Sequence, residues 1–268
     1  MARPELKNSP TQFYTNEEVE KYDRNKRIIY IQRKMAEKCC ELINCTSGVI
    51  LDIGCGTGHS ISALKEYESS RNEKSEDALD KNRKLFIVGC DINRNMLLNC
   101  NNKGLDAELV QLDIGNSLPF QPASFDGIIS VSCIQWLFYA SNTDRTEKRL
   151  YMFLSSMYAA LKREASACLQ FYYEGKWQVD LLMKVSRRVG FVGGVVIDGE
   201  GKNTKYYLVL SMIVKNTKFE KADEEVLNRR KQRRCNSNYK IKERRDDNLY
   251  NNKRKKNDGR DKKKKKHK

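Results

Sequence analysis

Eleven residues, Gly48 to Gly58, leave few folds open to this chain. Val49, Ile50, Leu51 and Ile53 make a short apolar run, and Gly54, Gly56 and Gly58 then follow at every second position. An apolar run of this length reads as a strand buried on both faces. Glycines after it let the backbone turn through positive φ and pass close to a ligand before a helix begins. A dinucleotide-binding turn would want G-x-G-x-x-G, with its third glycine at position 59. His59 stands there, and the third glycine is Gly58.

Similar units recur along the chain. Leu85–Asp91, Ala107–Asp113, Phe125–Ser132 and Ser166–Tyr173 are further apolar strands. A helix begins near Asn93; another carries Leu150, Phe153, Leu154, Met157 and Leu161 on one face, and a third carries Val179, Leu182, Val185 and Val189. Ahead of the first strand, Thr15-Asn-Glu-Glu18 is a capping box, and Ile28, Ile31, Met35, Cys39 and Leu42 recur at helical spacing. This alternation predicts an α/β fold: a doubly wound, mostly parallel seven-stranded sheet covered on both faces. The last two strands, FVGGVVI and KYYLVLSMIV, are joined only by Asp198-Gly-Glu-Gly201, which predicts an antiparallel hairpin at one end. Tyr67–Lys84 is polar and aperiodic, and reads mostly as a surface insertion.

Charge divides the chain. Of 51 Lys+Arg and 35 Asp+Glu, residues 215–268 hold 23 and 9, a net of +14, leaving a near-neutral body of +2 over residues 1–214. A body of that length buries a substantial core, whereas a tail without apolar periodicity is expected to be disordered. The most apolar segment, Gly127–Ala140, falls short of the ~18 residues of a membrane helix and carries Ser and Gln. No apolar run follows the first residues, so no secretory leader is expected. Nine cysteines with no C-x-x-C spacing suit a reducing compartment. With only His59 and His267, a multi-histidine metal centre is excluded, and a catalytic triad would have to use His59.

The D-x-G-x-G-x-G form of Asp52 to Gly58 resembles the first motif of class I S-adenosylmethionine-dependent methyltransferases. Two more acids accompany it. Asp91 ends the second strand, where a carboxylate accepts from both ribose hydroxyls of a nucleoside. Asp113 ends the third, placed for an adenine amino group with Ile114 against the ring. Asp91 lies 39 residues after Asp52 rather than ~20, and removing the 18-residue insertion leaves 21. Each acid taken singly is equally a helix cap, but three at successive strand ends on one sheet edge point to S-adenosyl-L-methionine. The pocket candidates are Arg27, Asp52, Gly54, Cys55, Gly56, Asp91, Ile92, Met96, Asp113 and Ile114. Cys55 would offer backbone contacts and Arg27 would reach the methionine carboxylate. A solvated face for Arg27 and core packing for Met96 stay open.

Other stretches carry a narrower resemblance: Ala2-Arg-Pro-Glu5, Phe13-Tyr14, Lys21-Tyr22, Ile31-Gln32, SVSCIQWL (Ser130–Leu137), Gln170-Phe-Tyr172, GFVGGVVID and KYYLVLS. Across residues 1–211 the chain resembles eukaryotic methyltransferases that modify N7 of a guanine in small-subunit (18S) ribosomal RNA. The resemblance implies an S-adenosylmethionine-dependent rRNA (guanine-7) methyltransferase that acts in small-subunit ribosome biogenesis; the expected location is the nucleus (nucleolus or nucleoplasm), with the cytoplasm left open as well. It also implies a small zinc-binding activator protein that extends the sheet at the edge strand Ala107–Leu112. Guanine N7 has a lone pair and no proton, so methyl transfer needs alignment, exclusion of water and a grip on the base, but no general base. Gln135 and Trp136 after the fourth strand, with Tyr14 from the N-terminal arm, are the candidates for that grip. Core packing is the competing reading for Trp136 and Tyr14. The rival to catalysis is a non-catalytic pre-ribosome assembly factor on the same fold; a lesser alternative methylates transfer RNA or a protein. Lys162–Ser166 lacks the glycine turn usual before strand five, and RRKQRR (Arg229–Arg234) and NKRKK (Asn252–Lys256) resemble nuclear-import signals.

Overall fold

The computed structural model describes residues 4–6, 8–74, 84–139 and 143–214; the basic tail lies outside the described residues. After a single turn, α1 (Pro10–Phe13), Thr15 Oγ1 accepts from Glu18 N and starts α2 (Asn16–Arg24). At Asn25 the chain breaks. Its Oδ1 accepts from Arg27 N and Ile28 N at 3.1 Å each, so the apolar stripe belongs to a separate helix, α3 (Lys26–Ile43). Met35, Ala36, Cys39, Cys40 and Ile43 form its buried face.

The strands are β1 (Gly48–Ile53), β2 (Leu85–Asp91), β3 (Glu108–Gln111), β4 (Phe125–Val131), β5 (Leu161–Phe171), β6 (Val192–Asp198) and β7 (Lys205–Ser211). They form one sheet in the order β3-β2-β1-β4-β5-β7-β6. Neighbours run parallel from β3 to β5, and β7 is antiparallel to both β5 and β6. The expected hairpin is present, with β7 inside the sheet and β6 at its edge.

Four helices join the strands: α4 (His59–Lys74), α5 (Arg94–Asn102), α6 (Thr143–Ala160) and α7 (Lys176–Val189). Because successive strand residues point to opposite faces, each strand feeds two cores. Ile50, Ile129, Cys168 and Val209 pack with α3, α4 and α5, whereas Leu51, Ile128, Leu169 and Leu208 pack with α6 and α7. That double burial is why the strands carry apolar runs; each large side chain so buried contributes roughly 1.5–3 kcal/mol. Among the described residues no helix is long and apolar enough to cross a membrane.

Three boundaries differ from the sequence expectation. The segment read as an insertion at Tyr67 is helical as far as Lys74, and residues 75–83 lie outside the described residues. Its polar side chains hold the helix to its neighbours: Glu68 Oε1 accepts from Leu85 N at 2.6 Å, Lys65 Nζ donates to Leu85 O at 2.9 Å, and Arg71 Nη1 donates to Thr46 O at 3.2 Å. Helix α6 ends at Ala160 and β5 starts at Leu161 with no turn between them. The register jumps from Phe125↔Leu161 to Gly127↔Ser166, so an irregular stretch takes the place of the missing glycine turn. Lys162 Nζ bonds both oxygens of Asp126 at 2.8 and 2.9 Å across that irregularity. Strand β3 stops at Gln111, two residues before Asp113. In the strand order β1 has β2 on one side and β4 on the other, and such a reversal opens a crevice at the carboxyl ends.

Candidate active site

The glycine turn after β1 is stitched to the end of β2. Gly54 N and Cys55 N donate to Cys90 O at 2.8 and 3.0 Å, and Gly56 N donates to Asp91 Oδ2 at 3.0 Å. Gly54 and Gly56 sit at φ +72° and +54°, where a side chain is disfavoured. A Cβ on Gly54 would collide with the Cys133 side chain; one on Gly56 would meet only Met96 Sδ, at 3.9 Å. Close packing thus explains the first glycine, and the second presents bare backbone to open space.

That space is a cavity of about 600 Å³. One group of lining residues comes from the ends of β2 and β3: Asp91, Ile92, Met96, Leu112, Asp113 and Ile114. Another comes from the N-terminal arm and the end of β4: Tyr14, Tyr22, Ser132, Cys133 and Trp136. Asp91 Oδ1 accepts from Asn93 N at 2.8 Å. Burial pushes the Asp91 carboxyl up to about 6, while the N–H groups of Asn93, Gly56 and Ile92 pull it down. Asp113 Oδ1 accepts from Gly115 N and from Arg149 Nη2, both at 2.9 Å, so this acid caps the short turn Ile114–Asn116 and also faces the cavity.

Four sequence candidates do not line the cavity. Asp52 is fully buried; its Oδ2 accepts from Ser60 Oγ at 2.5 Å, and its Oδ1 has no partner among the described residues. Burial, reinforced by the charge of Asp91 and opposed by the Ser60 hydrogen bond, lifts its carboxyl to about 7. Asp52 therefore supports the turn from within. Cys55 is buried because its side chain packs toward Gly89. Arg27 is exposed in the first turn of α3, just past the Asn25 cap. Gln135 turns inward: its Nε2 donates to Ser132 O at 2.7 Å and its Oε1 is buried without a partner, so the amide braces the turn Ile134–Phe138.

Tyr14 and Trp136 do come together, with ring centroids 6.1 Å apart and planes at 58°. The arm that brings Tyr14 is held by Asn93, whose Nδ2 donates to Pro10 O at 3.2 Å and Tyr14 O at 3.0 Å. The same side chain's Oδ1 caps α5 through Asn95 N and Met96 N. Burial, then the charges of Asp91 and Glu5, push the Tyr14 phenol up, so it stays protonated.

Sequence reasoning passed over Glu5, Gln32, Ser132, Cys133 and Arg149 as cavity residues. Ser132 has φ +55°, and Gln170 Oε1 holds it there by accepting from its N and Oγ at 2.9 Å each. Gln32 Nε2 donates to the same Oγ at 3.4 Å. A glutamine inside the apolar strand β5 was the available signal. Burial pushes the Cys133 thiol well up, and His59, outside the cavity lining, is lowered to about 4 by burial and then by Lys103. Neither is arranged as a base. Among the described residues no group of three or more His, Cys, Asp or Glu is placed to hold a metal.

Comparison with known proteins adds the chemistry. Residues 50–163 match the family described as a methyltransferase domain. Over 214 residues, 78% of this chain and 70% of the relative, the sequence is 40% identical to an 18S rRNA (guanine-N(7))-methyltransferase of Mus musculus. Over 215 residues, 78% of this chain and 74% of the relative, it is 35% identical to a protein of that name from Schizosaccharomyces pombe. Solved structures share the fold at lower identity. A TehB-like SAM-dependent methyltransferase from Corynebacterium glutamicum aligns with a TM-score of 0.52 and 16% identity, covering 74% of this chain and 99% of that one. A complex between the Haloferax volcanii Trm112 methyltransferase activator and a methyltransferase aligns with a TM-score of 0.51 and 14% identity, covering 75% and 96%.

Proposed function

The chain belongs to the 18S rRNA (guanine-N7)-methyltransferase family, and from that premise we propose that it forms 7-methylguanosine in small-subunit ribosomal RNA with S-adenosylmethionine as donor. The observation that carries the reading is one cavity that holds Asp91 and Asp113 at strand ends, an apolar wall and an aromatic pair at the carboxyl edge of the sheet. The residues fit the donor. Asp91 offers acceptors to ribose hydroxyls, Asp113 to an adenine amine, and Ile92, Met96 and Ile114 flank the ring between them. Gly56 leaves its backbone bare where the methionine end must pass. When bound, the donor supplies an electrophilic methyl group on sulfur.

The chain's own task is positional. Tyr14 and Trp136 provide flat surfaces for an unstacked base, worth roughly 1–3 kcal/mol per stacked base. The Gln170–Ser132–Gln32 network holds the end of β4 in its strained conformation next to them. Because N7 carries no proton, alignment and exclusion of water suffice. The test is transfer of a tritiated methyl group to isolated small-subunit RNA, transfer RNA and protein offered separately, with 7-methylguanosine located by reduction and aniline cleavage. Label at one guanine is expected; label on transfer RNA or protein alone would overturn the reading.

An activator subunit at the free edge of β3 is part of the same proposal. Glu108 to Gln111 carries neither lysine nor proline to blunt the edge, and Phe86 on neighbouring β2 is 65% exposed. The chain expressed alone is expected to aggregate, and co-expression with a Trm112-type activator to rescue it. A monodisperse, active monomer at micromolar concentration would refute this. We place the protein in the nucleus, on the strength of the two basic motifs of the tail.

A further inference from the structure

Resting on the guanine reading above, we propose that Glu5 reads the Watson–Crick edge of the target base, accepting from guanine N1–H and the 2-amino group. Glu5 sits in the short turn Pro4–Leu6 and lines the same cavity as Tyr14 and Trp136, yet it is only 5% exposed. Among the described residues no hydrogen bond or ion pair reaches its carboxylate. Two cations line the same cavity, Arg145 and Arg149, and Arg149 is committed to Asp113. A buried carboxylate without donors is costly to maintain. It makes sense where a ligand brings the donors.

The chemistry of the ligand narrows the choice. On the donor side, Asp91 and Asp113 already offer acceptors to the ribose and the adenine amine. Glu5 shares the cavity lining with Tyr14, Trp136 and Tyr139, and its charge is a smaller effect on the two phenols, behind burial and Asp91 at Tyr14 and behind burial, Gln178 and Glu174 at Tyr139. Guanine presents two parallel donors on its Watson–Crick edge, which match the two oxygens of one carboxylate. Adenine presents an acceptor there and is repelled. N7 lies on the opposite edge of the purine, so a base held by Glu5 keeps N7 free to turn toward the methyl group. The base has to be unpaired for its edge to be bare, as an unstacked base is.

The experiment uses the protein with its activator. Wild-type protein first maps the methylated guanine in small-subunit RNA by borohydride–aniline cleavage. A synthetic RNA spanning that position is then made with guanosine or with inosine, which lacks the 2-amino group. For wild type, inosine is expected to lower kcat/KM by about 10- to 100-fold, the loss of one hydrogen bond to a charged group. Glu5→Ala should lose rate on guanosine but respond to inosine by less than about threefold, since the partner of that amino group is gone. Glu5→Gln, whose amide NH2 would face the 2-amino group, should narrow or invert the preference. Calorimetric affinity for S-adenosylmethionine should stay within about twofold in both variants. Variants that keep the full inosine penalty would overturn the proposal, as would a loss of donor affinity with the penalty retained, which would assign Glu5 to the methionine ammonium. Absence of any 7-methylguanosine with wild type is a different failure; it removes the guanine reading itself.

Discussion

Donor affinity should depend on pH through Asp91, and the dependence can be worked out from its surroundings. Burial holds this carboxyl at about 6 although three N–H groups favour its charged form. The two ribose hydroxyls need an acceptor, which the protonated acid offers less well. Binding should therefore be full above the folded value and fade as pH falls through 6. For a single site of this kind, affinity at pH 5 is about tenfold weaker than at pH 7, or about 1.4 kcal/mol. Asp52 titrates nearby, at about 7, so the comparison needs a variant. Asp91→Asn keeps the shape, cannot ionise, and should flatten the profile while weakening binding at pH 7. Isothermal titration calorimetry between pH 5 and 7 stays below the range where the donor's own amine titrates. If Asp91→Asn retains the wild-type slope, the dependence belongs to another group and the ribose assignment fails.

Other outcomes follow from the same geometry. Asp91→Ala should weaken donor binding by about 1.5–3 kcal/mol, measured by calorimetry on the folded variant. Asp52→Asn should raise the melting temperature of the ligand-free protein, and more at pH 7 than at pH 5. An acid whose folded value is raised contributes stability at low pH that is lost as pH climbs from about 4 to about 7, and the difference between the two pH values is on the order of 2 kcal/mol. Trp136→Ala should cut methyl transfer by about 10- to 100-fold through base stacking while donor affinity holds, which separate RNA and donor titrations would resolve. Deleting residues 216–268 should lower RNA affinity and reduce the slope of log affinity against log salt, with donor binding intact; equal slopes would show that the tail does not engage RNA.

The strands, the glycine turn and Asp91 were legible because each depends on neighbours in sequence. A run buried on both faces must be apolar, and a turn that puts backbone against a neighbouring strand and a cavity must use glycine at 54 and 56. The hairpin of β6 and β7 was legible for the same reason, since the link between them is too short for a crossover. Local pattern also set the limits. The helix through Lys74 was hidden because polar contacts with Leu85 and Thr46, rather than an apolar stripe, hold it. Asp52 and Asp91 look alike as acids at strand ends. Only the packed sheet buries one under the turn and leaves the other in the cavity. Gln135 and Trp136 are adjacent in sequence, yet the short turn after β4 sends the amide inward and the indole to the cavity. Asn93 reaches an arm about 80 residues earlier in the chain. The burial of Glu5 likewise depends on where the arm lies. Such contacts join polar atoms across long separations and leave no periodicity behind, so tertiary structure alone decides them.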